Sequence, residues 1–238
     1  MRSVLVTGAG AGLGLALVKE HRKLGDRVFA WDYHISEQLR EAEKADQNIF
    51  VSEADISNTG SVNAAAEYVR SISDNIDIVY NNAGVYYKGF YEQGRREIID
   101  YDFDAAIDMY SVNAVGAFRV VKSLLKLNLL HSGATICMTS SEAGSIGGSP
   151  NVRASEYTYC MSKAALNKGA TILYNDVEKK GMRVICFHPG WMKTAMGGPN
   201  AVIPTEDTAR GIMKYTLDFN STSKDNMFIK FDGTPIAW

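Results

Sequence analysis

Two hydrophobic periods alternate along this chain. Short runs rich in Val, Ile and aromatic residues, at 3–7, 27–32, 48–51, 76–80, 134–140, 182–188 and 227–230, predict strands. Between them, apolar positions recur with helical spacing at 13–24, 36–45, 57–73, across a long region 96–130, at 159–180 and at 205–218. Strand and helix taking turns predict an α/β fold, with a parallel sheet covered by helices on both faces. No linker, repeat or low-complexity tract breaks the pattern, so residues 1–238 read as a single doubly wound domain. The Gly/Ser/Pro-rich pieces at 144–155 and 197–204 read as long loops. Loops of that length in a compact domain are usually functional.

Composition narrows the function classes. With 46% hydrophobic residues the chain can bury a large core, and a net charge of −2 gives no reason to expect nucleic acid or an anionic membrane as partner. The apolar runs fall short of the roughly 20 residues that span a bilayer. The first strand begins at residue 3, which leaves no room for a signal peptide, so a cytoplasmic protein is expected. Three cysteines without CxxC spacing, and four scattered histidines, suggest no metal site.

The first β-α junction carries candidate chemistry. It reads Thr7-Gly8-Ala9-Gly10-Ala11-Gly12-Leu13-Gly14, a glycine-rich turn after a strand and before a helix. That context brings backbone N–H groups against a pyrophosphate at a helix N-terminus, where the dipole favours anions. The second predicted strand ends at Asp32, whose carboxylate would accept hydrogen bonds from ribose hydroxyls and repel a 2′-phosphate. No Arg or Lys lies in the turn or directly after Asp32, which argues for NAD over NADP. Capping of the next helix is the competing role for Asp32. Asp55, with Ile56, could meet the adenine amine or begin a helix cap.

Tyr159 and Lys163 stand four positions apart in a helix-favouring run, so their side chains share one face. A cation beside a phenol favours phenolate and lowers a tyrosine pKa from its usual value of about 10. Such a tyrosine can exchange a proton with a substrate oxygen. Taken alone, the pair reads far more readily as two surface residues on an amphipathic helix.

Taken in order, Thr7-Gly8-x-x-x-Gly12-x-Gly14, Asn81-Asn82-Ala83-Gly84, Asn113, Ser140-Ser141, Tyr159-x-x-x-Lys163 and Pro189-Gly190 with Thr194 resemble the short-chain dehydrogenases/reductases over the whole chain. The segment 189–198 and the ending 232–238 resemble sniffer-type carbonyl reductases and C-factor-like proteins. The resemblance implies a seven-stranded parallel sheet in the order 3-2-1-4-5-6-7. It implies a catalytic tetrad of Asn113, Ser141, Tyr159 and Lys163, with Ser141 preferred over Ser140. It also implies cofactor contacts from Gly8, Gly10, Ala11, Gly12, Leu13, Gly14, Asp32, Tyr33, Asp55, Ile56, Asn82, Ala83, Gly84, Pro189, Gly190, Met192 and Thr194, besides Asn113, Tyr159 and Lys163. By the same resemblance Asn113 would hold a water beside Lys163; read without it, Asn113 is a satisfied buried amide. Homodimers or homotetramers are usual in the family.

The expected activity is hydride transfer between NAD(H) and a small-to-medium carbonyl or alcohol. An NADPH-dependent carbonyl reductase and a non-enzymatic nucleotide-binding signalling protein are the alternatives. Tyr86, Tyr87, Trp191, Met192 and Met196 flank the expected pocket mouth in the segments 86–87 and 190–205, with Arg153 and Lys193 as possible anchors for an anionic group. They point to an apolar or aromatic substrate, or equally to packing and interface roles. Two departures stand out. The stretch from Ser141 to Tyr159 is longer than the family commonly has, and Tyr80 occupies a position usually small or aliphatic.

Overall fold

The computed structural model describes residues 1–86, 98–101, 103–104, 106–148, 156–220 and 223–238. The strands are β1 (Ser3–Thr7), β2 (Arg27–Asp32), β3 (Ile49–Glu53), β4 (Ile76–Asn81), β5 (Leu130–Thr139), β6 (Arg183–His188) and β7 (Phe228–Lys230). The helices are α1 (Gly12–Lys23), α2 (Glu37–Ala45), α3 (Thr59–Ile72), α4 (Ala106–Tyr110), α5 (Ala117–Lys126), α6 (Tyr157–Glu178) and α7 (Thr205–Leu217). All strands pair in parallel, in the order β3-β2-β1-β4-β5-β6-β7. The strands are apolar on both faces because both faces are covered. Val4 and Val6 join α1, α2 and α7 in one core. Leu5, Trp31 and Val79 join α3, α5 and α6 in the other.

The long helical region expected at 96–130 is corrected. Within its described part α4 passes into a π-helical turn, Ser111–Gly116, and then into α5, which ends at Lys126. Asn128 takes a positive φ of 54° and closes the helix end. β5 then begins at Leu130, four residues before the expected 134, with Leu130 paired to Ile76. The polar His131-Ser132-Gly133 stretch hid this start. A register irregularity between Ile76 and Ile78 absorbs it, and Gly133 N–H donates to Gly181 O at 2.7 Å.

Tyr80 has a structural account. Its buried hydroxyl lies 3.0 Å from His21 Nε2 and 2.6 Å from Thr216 Oγ1. His21 Nδ1 meets Asp26 Oδ2 at 2.9 Å, and Arg2 Nε donates to Asp26 Oδ1 at 3.0 Å. Burial pushes the Tyr80 phenol well up and the His21 imidazole down. Burial also pushes the Asp26 carboxyl up, but hydrogen bonds from His21 and Arg2 outweigh it and hold Asp26 below the usual carboxylate range. This network pins the far end of α1 to β4 and α7, and so orients the helix whose N-terminus faces the candidate site.

Candidate active site

The glycine turn sits at the carboxyl end of β1, where open α/β sheets bind ligands. Thr7 Oγ1 accepts the N–H groups of Asn82 and Ala83, both at 3.0 Å. Asn82 Nδ2 donates back to Thr7 O at 3.0 Å and Gly8 O at 3.2 Å. The β4 loop thus braces the turn through Asn82. Gly8 and Gly12 take positive φ values of 66° and 54°, which side-chain-bearing residues rarely adopt. A Cβ on Gly14 would stand 1.9 Å from Gly8 O, so Gly14 is where α1 packs on the strand. Gly14→Ala is therefore expected to cost more than the roughly 1–3 kcal/mol of ordinary overpacking. It should also abolish dinucleotide binding, as read by a thermal melt and an NADH fluorescence titration. Wild-type binding by this variant would refute the packing argument.

Asp32 does not cap α2. Ser36 does, accepting Leu39 N–H at 3.2 Å, while Asp32 Oδ2 accepts Gly10 N–H at 2.6 Å and Oδ1 accepts His34 N–H at 3.1 Å. Nor does Asp55 cap α3, whose cap is Asn58. Asp55 Oδ1 accepts from Ser57 N and Oγ at 2.8 and 2.6 Å.

A cleft of about 870 Å³ runs across the sheet's carboxyl edge. Of the expected cofactor residues, Gly8, Ala11, Gly12, Leu13, Asp32, Tyr33, Asp55, Ile56, Asn82, Ala83, Gly84, Asn113, Tyr159, Lys163, Pro189, Met192 and Thr194 line it. Three do not line it. Gly10 turns its N–H to Asp32, Gly14 packs against Gly8, and Gly190 lines a second chamber. Lys19, Gln38 and Thr139 line the cleft and were not singled out; Ser140, set aside in favour of Ser141, and Lys193, considered only as a substrate anchor, line it too. Lys19 was legible, since it lies seven positions from Gly12 on the same helical face.

The chemistry-bearing side chains converge from three elements. Tyr159 and Lys163 lie in the first two turns of α6. Lys163 is buried, its Nζ donates to Thr139 O at 2.8 Å and lies 5.8 Å from the Tyr159 ring centre, and burial lowers its pKa to about 8. Asn113 sits in the π-helical turn, a form that often marks functional sites. Its Oδ1 accepts Val85 N–H at 2.7 Å and its Nδ2 donates to Val85 O at 2.9 Å. It is a satisfied buried amide that also lines the cleft. Arg119 donates to Ser111 O at 2.9 Å and Ile56 O at 3.2 Å, tying this turn to the cleft's far wall. Ser141 accepts Ala143 N–H at 3.2 Å and caps a short 3₁₀ turn. Ser140 instead donates to Asn167 Oδ1.

A second chamber of about 420 Å³ opens beside the cleft, lined by Tyr86, Ser141, Tyr159, Trp191, Met192 and Met196, among others. His188 also lines it, a residue the sequence marked only as a strand end. Trp191 Nε1 donates to Gly197 O at 2.7 Å and closes the loop above it. Arg153 and Tyr87 lie outside the described residues. Among the described residues no helix is long and apolar enough to cross a membrane, and no cluster of three or more His, Cys, Asp or Glu could hold a metal.

A sequence model of the family described as short chain dehydrogenase matches residues 2–201. The C-signal protein of Myxococcus xanthus is 32% identical over 165 residues, covering 68% of this chain and 93% of that protein. A 1-hydroxy-2-glutathionyl-2-methyl-3-butene dehydrogenase of a Rhodococcus species is 27% identical across 100% of both chains. Among solved structures, the carbonyl reductase Sniffer of D. melanogaster superposes with a TM-score of 0.86 at 26% identity, covering 100% of both chains. An NADPH-bound carbonyl reductase from chicken fatty liver gives 0.85 at 25% identity, covering 100% of this chain and 99% of that one. With the fold, the cleft and the family match in agreement, the chain belongs to the short-chain dehydrogenase family and is an NAD(P)-dependent oxidoreductase.

Proposed function

We propose that the protein interconverts a small-to-medium carbonyl compound and its alcohol using NAD(H), with Asn113, Ser141, Tyr159 and Lys163 as its catalytic residues. The observation that carries this reading is that Tyr159 lines both the dinucleotide-sized cleft and the second chamber, with Lys163 beneath its ring. The glycine turn fits a dinucleotide, because Gly8, Ala11 and Gly12 line the cleft with little or no side chain where α1 begins, leaving its backbone open to a pyrophosphate. When bound, the nicotinamide supplies or receives the hydride. The chain's own residues handle the proton and the geometry. Tyr159 donates its phenolic proton to the carbonyl oxygen in reduction and recovers it in oxidation. Lys163, protonated at neutral pH, favours the phenolate. Ser141 orients the substrate oxygen and stabilises charge developing on it. Asn113 holds the β4 loop against the π-helical turn.

Substrate contacts come from Tyr86, Trp191, Met192 and Met196, whose rings and thioethers suit an apolar or aromatic carbonyl. Residues 190–205 form the substrate loop of a single domain. Exposed apolar side chains on α6, Tyr157, Met161 and Ile172, support a homodimer or homotetramer. Three cysteines in no disulfide support a cytoplasmic protein. A purely signalling role would not require Tyr159 and Lys163. Turnover of NADH against a panel of ketones, aldehydes and quinones tests the reading, and cofactor binding with no turnover anywhere on the panel would overturn it.

The choice of NAD rests on Asp32, which presents its carboxylate to the cleft. Asp32→Asn keeps an acceptor for Gly10 N–H and removes the charge. It is expected to lower kcat/KM with NADH by about tenfold or more, since a hydrogen bond to a charged group contributes about 1.5–3 kcal/mol. The same change should improve NADPH use. A wild-type enzyme that strongly prefers NADPH would refute this part and favour the reductase alternative, a cofactor named for the chicken-liver structure.

A further inference from the structure

We propose that Tyr86 is a positioning residue that holds the Tyr159 ring beside Lys163, acting on the reaction through Tyr159. The proposal rests on Tyr159 being the proton-transfer group. Tyr159 is the third residue of α6, inside the first turn, where helix backbone is least restrained by its own hydrogen bonds. Residues outside the helix must therefore fix the ring. Tyr86 meets it edge-on, with ring centres 5.1 Å apart and planes at 88°. That arrangement matches the negative face of one ring to the positive edge of the other.

Tyr86 is itself held at both ends. Its hydroxyl donates to Glu156 Oε1 at 3.0 Å. Its backbone follows Val85, whose N–H and C=O are both bound by Asn113. Glu156 is buried and immediately precedes α6, and its carbonyl accepts Cys160 N–H at 2.9 Å. The β4 loop, the π-helical turn and the start of α6 thereby form one rigid frame around a single phenol. Besides lining the second chamber, Tyr86 contacts the reacting side chain and the residue that precedes that side chain's helix.

Among the described residues, the titratable groups near Tyr159 include Tyr86, Lys163 on its own helix, Glu156 just before that helix and His188 at the end of β6 in the same chamber. Substituting Tyr86 leaves Lys163 and His188 in place and removes the hydroxyl bonded to Glu156. The test compares Tyr86→Ala and Tyr86→Phe with wild type, using NADH and a carbonyl substrate found on the panel. Tyr86→Ala is expected to lower kcat by about 10- to 100-fold, the scale of an ångström-sized misplacement, with NADH binding unchanged. Tyr86→Phe keeps the ring contact but loses the bond to Glu156, and should fall between wild type and Tyr86→Ala. Ultraviolet difference titration against the matching Tyr159→Phe variants isolates the Tyr159 phenolate without any turnover. Its midpoint should move to higher pH in Tyr86→Ala, because the ring leaves the lysine's field.

A raised KM for the carbonyl, with kcat and the phenolate midpoint unchanged, would make Tyr86 a plain chamber wall and overturn the proposal. So would Tyr86→Phe losing as much as Tyr86→Ala. If wild type turns over nothing on the panel, the proposed function fails, while the titration still decides whether Tyr86 positions Tyr159.

Discussion

Tyr159→Phe is expected to lower kcat by about 10²- to 10⁴-fold, the range removed with a positioned general acid. The substitution deletes one oxygen and keeps the ring that packs edge-on against Tyr86. The cleft's other walls come from α1, the β4 loop and the segment after β6, so dinucleotide affinity should stay within a few-fold of wild type. The loss should therefore appear in kcat, with little change in the apparent KM for NADH. Steady-state kinetics with a single good substrate, together with an NADH fluorescence titration, separate the two. Retention of full turnover would remove Tyr159 from the chemistry and take the proposed mechanism with it.

The second large effect is expected at Lys163, and it has opposite signs in activity and stability. Burial lowers this ammonium's pKa from 10.5 to about 8. At neutral pH it is charged in both folded and unfolded chains, so the folded state carries the desolvation cost, which at 1.36 kcal/mol per unit is about 3 kcal/mol. Between pH 8 and the ordinary lysine range the unfolded chain holds a proton the native chain has lost, so native stability should rise with pH across that window. Lys163→Met removes the buried charge and also the bond from Nζ to Thr139 O. It is expected to raise stability at pH 7 by about 1–3 kcal/mol, the penalty less roughly one hydrogen bond. It should also flatten the rise above pH 8, and lower kcat by about 10²-fold or more as the phenol loses its cation. Melts of the cofactor-free protein across that pH range, run beside kinetics, check both signs. A variant less stable than wild type at pH 7 would contradict the burial argument.

Much of the fold was legible because both cores are built from β-branched strands and periodic helices. All seven strands and the order of the sheet follow from that pattern and the family resemblance. What stayed hidden depends on contacts distant in sequence. The start of β5 at Leu130 is set by pairing with Ile76 across the chain, against a local His-Ser-Gly stretch that reads as loop. The π-helical turn at Asn113 leaves no mark in side-chain periodicity. His21 read as one more residue of an amphipathic helix, and only the fold brings it to Tyr80 and Asp26. In the site, most residues named by motif line a single cleft. Gly10 and Gly14 share the glycine-rich string with Gly12, yet serve strand-to-helix packing and the Asp32 contact. Lys19 and His188 reach the cavities by helix face and strand end, features that a motif search passes over.

Six residues, Ser140, Tyr159, Pro189, Met192, Thr194 and Met196, line the cleft and the second chamber alike. Four of them belong to the segment that follows β6, and Thr194 approaches the glycine turn closely enough that a Cβ on Gly12 would stand 3.1 Å from its methyl. A partition shared by two ligands makes their affinities a linked pair. Whatever the dinucleotide does to settle Met192 and Thr194 is felt by the carbonyl compound on the other side, and by the same factor in return. A dead-end substrate analogue is then expected to tighten its hold once the dinucleotide is in place, and the dinucleotide to tighten equally with the analogue bound.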